Sequence, residues 1–144
     1  MMFTIYDDKK NEFLNIEEPD SSYEYSYADY LKWKFEERVE LIRGKIMKMT
    51  ASNRKHQDVS GNLFFSIATF LKGRKCKVYS APFDVRLTRS NKLKDEEIEN
   101  VVQPDICVIC EESKLDDKGC IGAPDLIIEI LSPGKFQKRN TFKT

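Results

Sequence analysis

No apolar run in this sequence approaches the roughly 18 residues that a membrane-crossing helix requires. The opening segment, MMFTIYDDKKNEF, also lacks the basic-then-apolar order of a signal segment. Both absences lead to the expectation of a cytoplasmic protein with no membrane partner. An excess of one charge is missing too: 24 basic residues face 24 acidic ones, so the molecule as a whole is not an electrostatic binder of nucleic acid. Any such affinity has to be local. Internal repeats and low-complexity tracts are absent, and 144 residues with 40% hydrophobic content suit one domain with one modest core.

Cysteine is sparse but present at Cys76, Cys107, Cys110 and Cys120. Cys107 and Cys110 have the spacing of a zinc ligand pair. Both, however, belong to a β-branched apolar run, and in a strand residues three apart face opposite sides of the sheet, so they cannot converge on one ion. Reduced, mostly buried thiols are the expectation.

Residues 1–22 are polar and acidic toward their end, and read as a flexible N-terminal arm ahead of a domain over residues 23–144. Ser26 with Asp29 three residues on marks a helix start, followed by Tyr30, Leu31, Trp33 and Phe35 over about ten residues. Two β-capable runs around Arg43-Gly44 predict a hairpin, with Glu40 opposite Leu41 on its more solvated side. From Ser52 to Leu71 the period becomes helical, Val59, Leu63, Phe64, Ile67, Ala68 and Leu71 forming one stripe before Gly73. The only histidine, His56, lies near that helix's N-terminal end beside Arg54 and Lys55, and is expected at the surface. Phe83 to Leu87 reads as a strand buried on one side. Residues 89–100, RSNKLKDEEIEN, are too charged to pack and read as an exposed loop.

The most informative stretch runs from Val101 to Pro133. Its two short apolar runs, Ile106 to Cys110 and Leu126 to Leu131, are each introduced by Pro-Asp and read as buried strands. Each also carries an acid, Asp105 at the start of the first and Glu129 inside the second. A buried carboxylate must be paired, protonated or bound to a cation. A shared Mg²⁺ would satisfy both acids, and with a nearby lysine the set could hydrolyse a phosphodiester. The structural alternatives are that Asp105 caps a turn and that Glu129 pairs with a buried Lys or Arg.

The series Glu40-Leu41-Ile42-Arg43-Gly44-Lys45, then His56, then Gln103-Pro104-Asp105-Ile106, then the block from Ala123 to Gly134, APDLIIEILSPG, resembles the Uma2 family, also described as DUF820, of the PD-(D/E)XK nuclease superfamily. The resemblance implies a restriction-endonuclease-like α/β (α+β) fold, a mixed central β-sheet flanked by helices. It implies an endonuclease acting on DNA with Mg²⁺, Mn²⁺ being a substitute, and a homodimer. Asp105 and Glu129 then become metal ligands, with the Ile130 carbonyl as a third. Glu40 matches the family's upstream acid, and Lys143 takes the place of the catalytic lysine because the position two after the glutamate is Leu131. Arg139 stands where relatives carry an acid. Relatives continue past the position of Thr144, so the domain is expected to be short at its C-terminal end. A catalytically inactive binding or interaction module of the same fold is the alternative. Local charge nominates Arg54, Lys55, His56, Lys135, Lys138 and Arg139 for nucleic-acid contact.

Overall fold

The computed structural model describes residues 2–7, 12–17, 22–33, 38–90 and 92–131. These residues form three β-sheets and two α-helices, a mixed α+β architecture as expected. The stretch read as an arm contains an antiparallel pair of its own, β1 (Met2–Asp7) with β2 (Glu12–Glu17).

Helix α1 (Tyr27–Tyr30) starts where the capping signal predicts: the Ser26 backbone N–H donates to Asp29 while Asp29 N–H donates back to the Ser26 hydroxyl. Only one turn forms. The aromatic-rich sequence after it had suggested a longer helix; Leu31 and Trp33 fall outside α1, and Phe35 lies outside the described residues.

The predicted hairpin is β3 (Val39–Ile42) with β4 (Lys45–Lys48). Its turn places Arg43 at φ 49° and Gly44 at φ 72°. Two consecutive left-handed residues are what a two-residue turn needs to match the twist of the flanking strands. Gly44 is further fixed by crowding, since a Cβ there would lie 2.9 Å from Cβ of Glu24.

Helix α2 (Arg54–Leu71) is capped by Asn53, whose side-chain oxygen accepts the His56 backbone N–H at 2.9 Å. Its predicted stripe is only partly covered: Val59 and Leu63 stay exposed, and Phe64, Ile67 and Leu71 are half-buried. A cavity-free glycine sits mid-helix, with nothing within 4 Å of where a Cβ at Gly61 would stand. Gly61→Ala is therefore expected to raise stability by about 0.5–1 kcal/mol, measurable as a higher denaturant midpoint with unchanged slope.

The remaining strands are β5 (Lys77–Ser80), β6 (Asp84–Arg86), β7 (Val101–Val102), β8 (Ile106–Ile109), β9 (Leu115–Asp116), β10 (Gly119–Ile121) and β11 (Leu126–Ile128). One sheet runs β4-β3-β7-β6-β10-β9, mixed because β6 and β10 are parallel; the other runs β11-β8-β5, all antiparallel. One core cluster gathers Tyr27, Leu41, Ile98 and Val101, the other Val85, Cys107, Ile109 and Cys120.

Three sequence expectations give way here. Ile98, inside the stretch judged too charged to pack, is 1% exposed and accepts the Tyr27 N–H through its carbonyl, so a single apolar residue anchors that loop. The run from Leu126 to Leu131, expected as one buried strand, is strand only to Ile128, with Glu129 and the exposed Leu131 beyond it; Leu126 and Ile127 are exposed because among the described residues β11 pairs on one side only. Finally, the thiols are not all reduced: Cys76 and Cys110 form a disulfide. They flank the β5–β8 ladder, whose register, carried one step past Lys77↔Ile109, sets 76 opposite 110. Cys107 and Cys120 remain free and buried, and burial pushes the Cys107 thiol up to about 12, which leaves it unreactive.

Candidate active site

Asp105 occupies the point where the three-stranded sheet meets α2. Strand β8 is buried along its whole length, as a continuous β-branched run predicts, and Asp105 precedes it directly. The Asp105 carbonyl accepts the Ala81 N–H at 3.0 Å, tying it to the chain leaving β5. On the other side its Oδ2 accepts the Ile130 backbone N–H at 2.7 Å. The β8–β11 register ends at Ile106↔Ile128, and one further step sets Glu129 opposite Asp105. Directly opposed residues of an antiparallel pair share a face. Glu129 is half-buried and takes part in an interaction of its own.

The imidazole of His56 faces the same carboxylate. Its Nε2 lies 3.2 Å from Asp105 Oδ2, and the two residues are 7% and 4% exposed. The distance suits charge attraction, yet the direction does not make a hydrogen bond, and among the described residues Nε2 is the buried side-chain polar atom without a hydrogen-bond partner. The Asn53 cap fixes the His56 backbone in the first turn of α2. Sequence reasoning grouped His56 with surface cations; the structure buries it, while its neighbours Arg54 and Lys55 are exposed. The helix N-terminus brings partial positive charge to the Asp105 carboxylate.

Behind Asp105 stands a hydrogen-bonded frame that sequence reasoning missed. Gln103 N–H donates to Glu40 Oε1 at 3.0 Å, so Glu40, placed on the solvated side from alternation, is half-buried against the segment that carries Asp105. The Gln103 side-chain amide donates to Tyr30 Oη at 2.6 Å and Asp84 Oδ1 at 3.0 Å, and its oxygen accepts from Arg38 Nε at 2.8 Å. Tyr27 and Tyr30 donate to the two oxygens of Asp84, and burial with that neighbouring carboxylate pushes both phenols well above their usual range. The one available signal was two tyrosines three apart at a capped helix start, a spacing that points both hydroxyls the same way.

The second Pro-Asp has a different task. Asp125 Oδ2 accepts the Cys110 N–H at 2.7 Å and closes the end of β8. Arg86, which alternates with the apolar residues of the strand read as buried on one side, is 2% exposed: it donates to the Cys120 carbonyl at 3.2 Å and to Asp116 Oδ1 at 2.5 Å. Partial burial alone would push the Asp116 carboxyl up, but the Arg86 guanidinium and the N–H groups of Lys118 and Gly119 bring it below its ordinary value of 3.8. A depressed folded-state pKa contributes stability above the unfolded value that is lost as pH falls through the folded one. Thermal midpoints are thus expected to fall on acidification below about pH 4, with a shallower fall in Asp116→Asn.

Lys135, Lys138, Arg139 and Lys143 lie outside the described residues. Among the described residues no group of three His, Cys, Asp or Glu side chains could hold a metal ion; His56 and Asp105 approach as a pair. With this geometry in view the relatives can be compared. The Uma2 family profile, described as "Putative restriction endonuclease", matches residues 27–143. The chain belongs to the Uma2 family. This Uma2 chain is also 24% identical over 110 residues to "Uncharacterized protein slr1290" of Synechocystis sp., covering 75% of the chain and 54% of that protein. A crystal structure of "a putative nuclease belonging to DUF820" from Anabaena variabilis superposes with a TM-score of 0.60 at 23% identity, over 81% of this chain and 63% of that one. That likeness shows the fold. The chain therefore spans 54% of one relative's length and 63% of the other's. Among the described residues no helix is long and apolar enough to cross a membrane.

Proposed function

We propose that this Uma2 chain is a Mg²⁺-dependent endonuclease that hydrolyses DNA phosphodiester bonds, with Asp105 and Glu129 holding the cation. The observation that carries the reading is Asp105 itself: a carboxylate 4% exposed, braced by the Ile130 N–H and facing a buried imidazole nitrogen that lacks a hydrogen-bond partner. Mg²⁺ keeps several of its waters, so two carboxylates and a backbone carbonyl would suffice to hold it. The register that sets Glu129 across from Asp105, beside the Ile130 carbonyl, adds the second acid.

When bound, the cation supplies activation of a water and neutralisation of phosphodiester charge. The chain's own residues do the rest. Glu40 and Gln103 hold the Pro104-Asp105 segment at the start of the central strand β8, so the carboxylate needs little reorganisation during the reaction. Arg54 and Lys55, exposed at the start of α2, attract the DNA backbone with the helix terminus behind them. Lys135, Lys138 and Arg139, nominated from sequence charge for DNA contact, and Lys143, nominated to steady charge at phosphorus, lie outside the described residues. The protein acts in the cytoplasm as a homodimer.

Incubating supercoiled plasmid with the chain and Mg²⁺ tests this directly. Nicking that stops with EDTA supports it; intact plasmid under all divalent ions defeats it. The second reading is a module of the same fold that binds nucleic acid or a partner without hydrolysis. Plasmid retention at low salt without cleavage would establish that alternative.

A further inference from the structure

We infer that the Cys76–Cys110 disulfide is a thiol-exchange site, opened at Cys76 by a small anionic thiol that the groove beside it admits. The site does not depend on the nuclease reading.

Three observations carry it. The disulfide is within reach of solvent: Cys76 and Cys110 are both half-buried, whereas Cys107 and Cys120 are free and buried. Cys76 also lines an open groove of about 460 Å³ between the end of α2 and the start of β5, and Cys110 is not among its lining residues. A thiolate arriving through the groove therefore meets the Cys76 sulfur. Finally, the groove carries one sign of charge. Lys72, Arg74 and Lys77 line it and no acid does, and among the described residues neither Lys72 nor Lys77 is in an ion pair. Arg74 is held in place, its Nε donating to the Phe70 carbonyl at 3.0 Å and its guanidinium carbon 4.5 Å from the Phe70 ring centre. Cations just past a helix C-terminus also offset the negative end of its dipole. That role alone would not make the disulfide discriminate among thiols by charge.

Exchange runs through a mixed disulfide. The incoming thiolate bonds to Cys76 Sγ as the Cys76–Cys110 bond breaks, and Cys110 leaves as a thiolate. A second thiolate then attacks the reagent's sulfur in the mixed disulfide, which yields the reagent's own disulfide and a Cys76 thiolate. Two reagent thiols are oxidised, one protein disulfide is reduced, and the two protein thiolates take up the two protons that the reagents gave up. The groove's cations raise the local concentration of an anionic thiolate and favour departure of the protein thiolates.

Glutathione, 2-mercaptoethanol and cysteamine serve as anionic, neutral and cationic probes on the full chain at low salt. Alkylation of the released thiols with peptide mass spectrometry follows opening, each rate being taken at equal thiolate concentration and divided by that for a small neutral disulfide. On that scale glutathione is expected to open the bond about 10-fold or more faster than cysteamine, with the first adduct on Cys76. The advantage should shrink to less than about 3-fold at high salt, where surface charge is screened, and in the triple variant Lys72→Gln, Arg74→Gln, Lys77→Gln. Cys110→Ser treated with oxidised glutathione should keep a single adduct, on Cys76. Equal rates for the three probes, a first adduct on Cys110, or rates that level off at one value for every thiol because the chain must unfold first would overturn the site and leave a purely structural bond. Alkylation of all four cysteines in the denatured, unreduced chain would overturn it as well. Should the triple variant fail to fold, the salt dependence of the wild-type chain decides.

Discussion

On the proposed nuclease reading, Asp105→Asn and Glu129→Gln are each expected to lower Mg²⁺-dependent plasmid nicking by at least about 10³-fold, because a cation held by these acids would supply several kcal/mol of transition-state charge stabilisation. The asparagine retains an oxygen for the Ile130 N–H that Asp105 Oδ2 now accepts at 2.7 Å, so the fold should persist. Initial rates of supercoiled-to-nicked conversion measure the loss, and circular dichroism checks the fold. Rates within 10-fold of wild type in either variant would remove that acid from the site. Glu40→Gln should cost less, since the amide oxygen can still accept the Gln103 N–H.

Gly119→Ala is expected to be the most damaging small substitution, at about 3 kcal/mol or more. Gly119 has φ +136°, a region closed to side chains, and an added Cβ would meet the Asp84 carbonyl oxygen at 2.2 Å. Backbone cannot yield as a flexible side chain would. Gly119 pairs with Asp84 in the parallel β6–β10 ladder, and Asp84 is the hub for Tyr27, Tyr30 and Gln103. Strain there reaches the frame behind Asp105. Chemical denaturation should show a lower midpoint, and a shift as small as that of Gly61→Ala would mean that the ladder opens without cost.

How far the sequence revealed this molecule depends on the range of the interaction. Local signals were legible: the Ser26 capping box, the Arg43-Gly44 turn, the helical period read from Ser52 to Leu71 and the β-branched run of β8 all appear where short-range physics puts them. The acids Asp105 and Glu129 stood out because charge amid apolar residues needs a partner. What stayed hidden depended on which strands become neighbours. Burial of Arg86 follows from Asp116, thirty residues away, and the Cys76–Cys110 bond follows from β5 lying against β8. His56 looked like a surface residue because helix periodicity cannot show that the sheet carrying Asp105 meets the first turn of α2.

The covalent bond between the flanks of β5 and β8 has a geometric consequence. In a pleated sheet a shift of one residue exchanges the two faces, so every side chain would change sides at once. Fastening position 76 to position 110 locks the parity of that pair of strands. At the far end of the same ladder Ala81 grips the Asp105 carbonyl, so the tether fixes, from a distance, which side of the sheet the acid can serve.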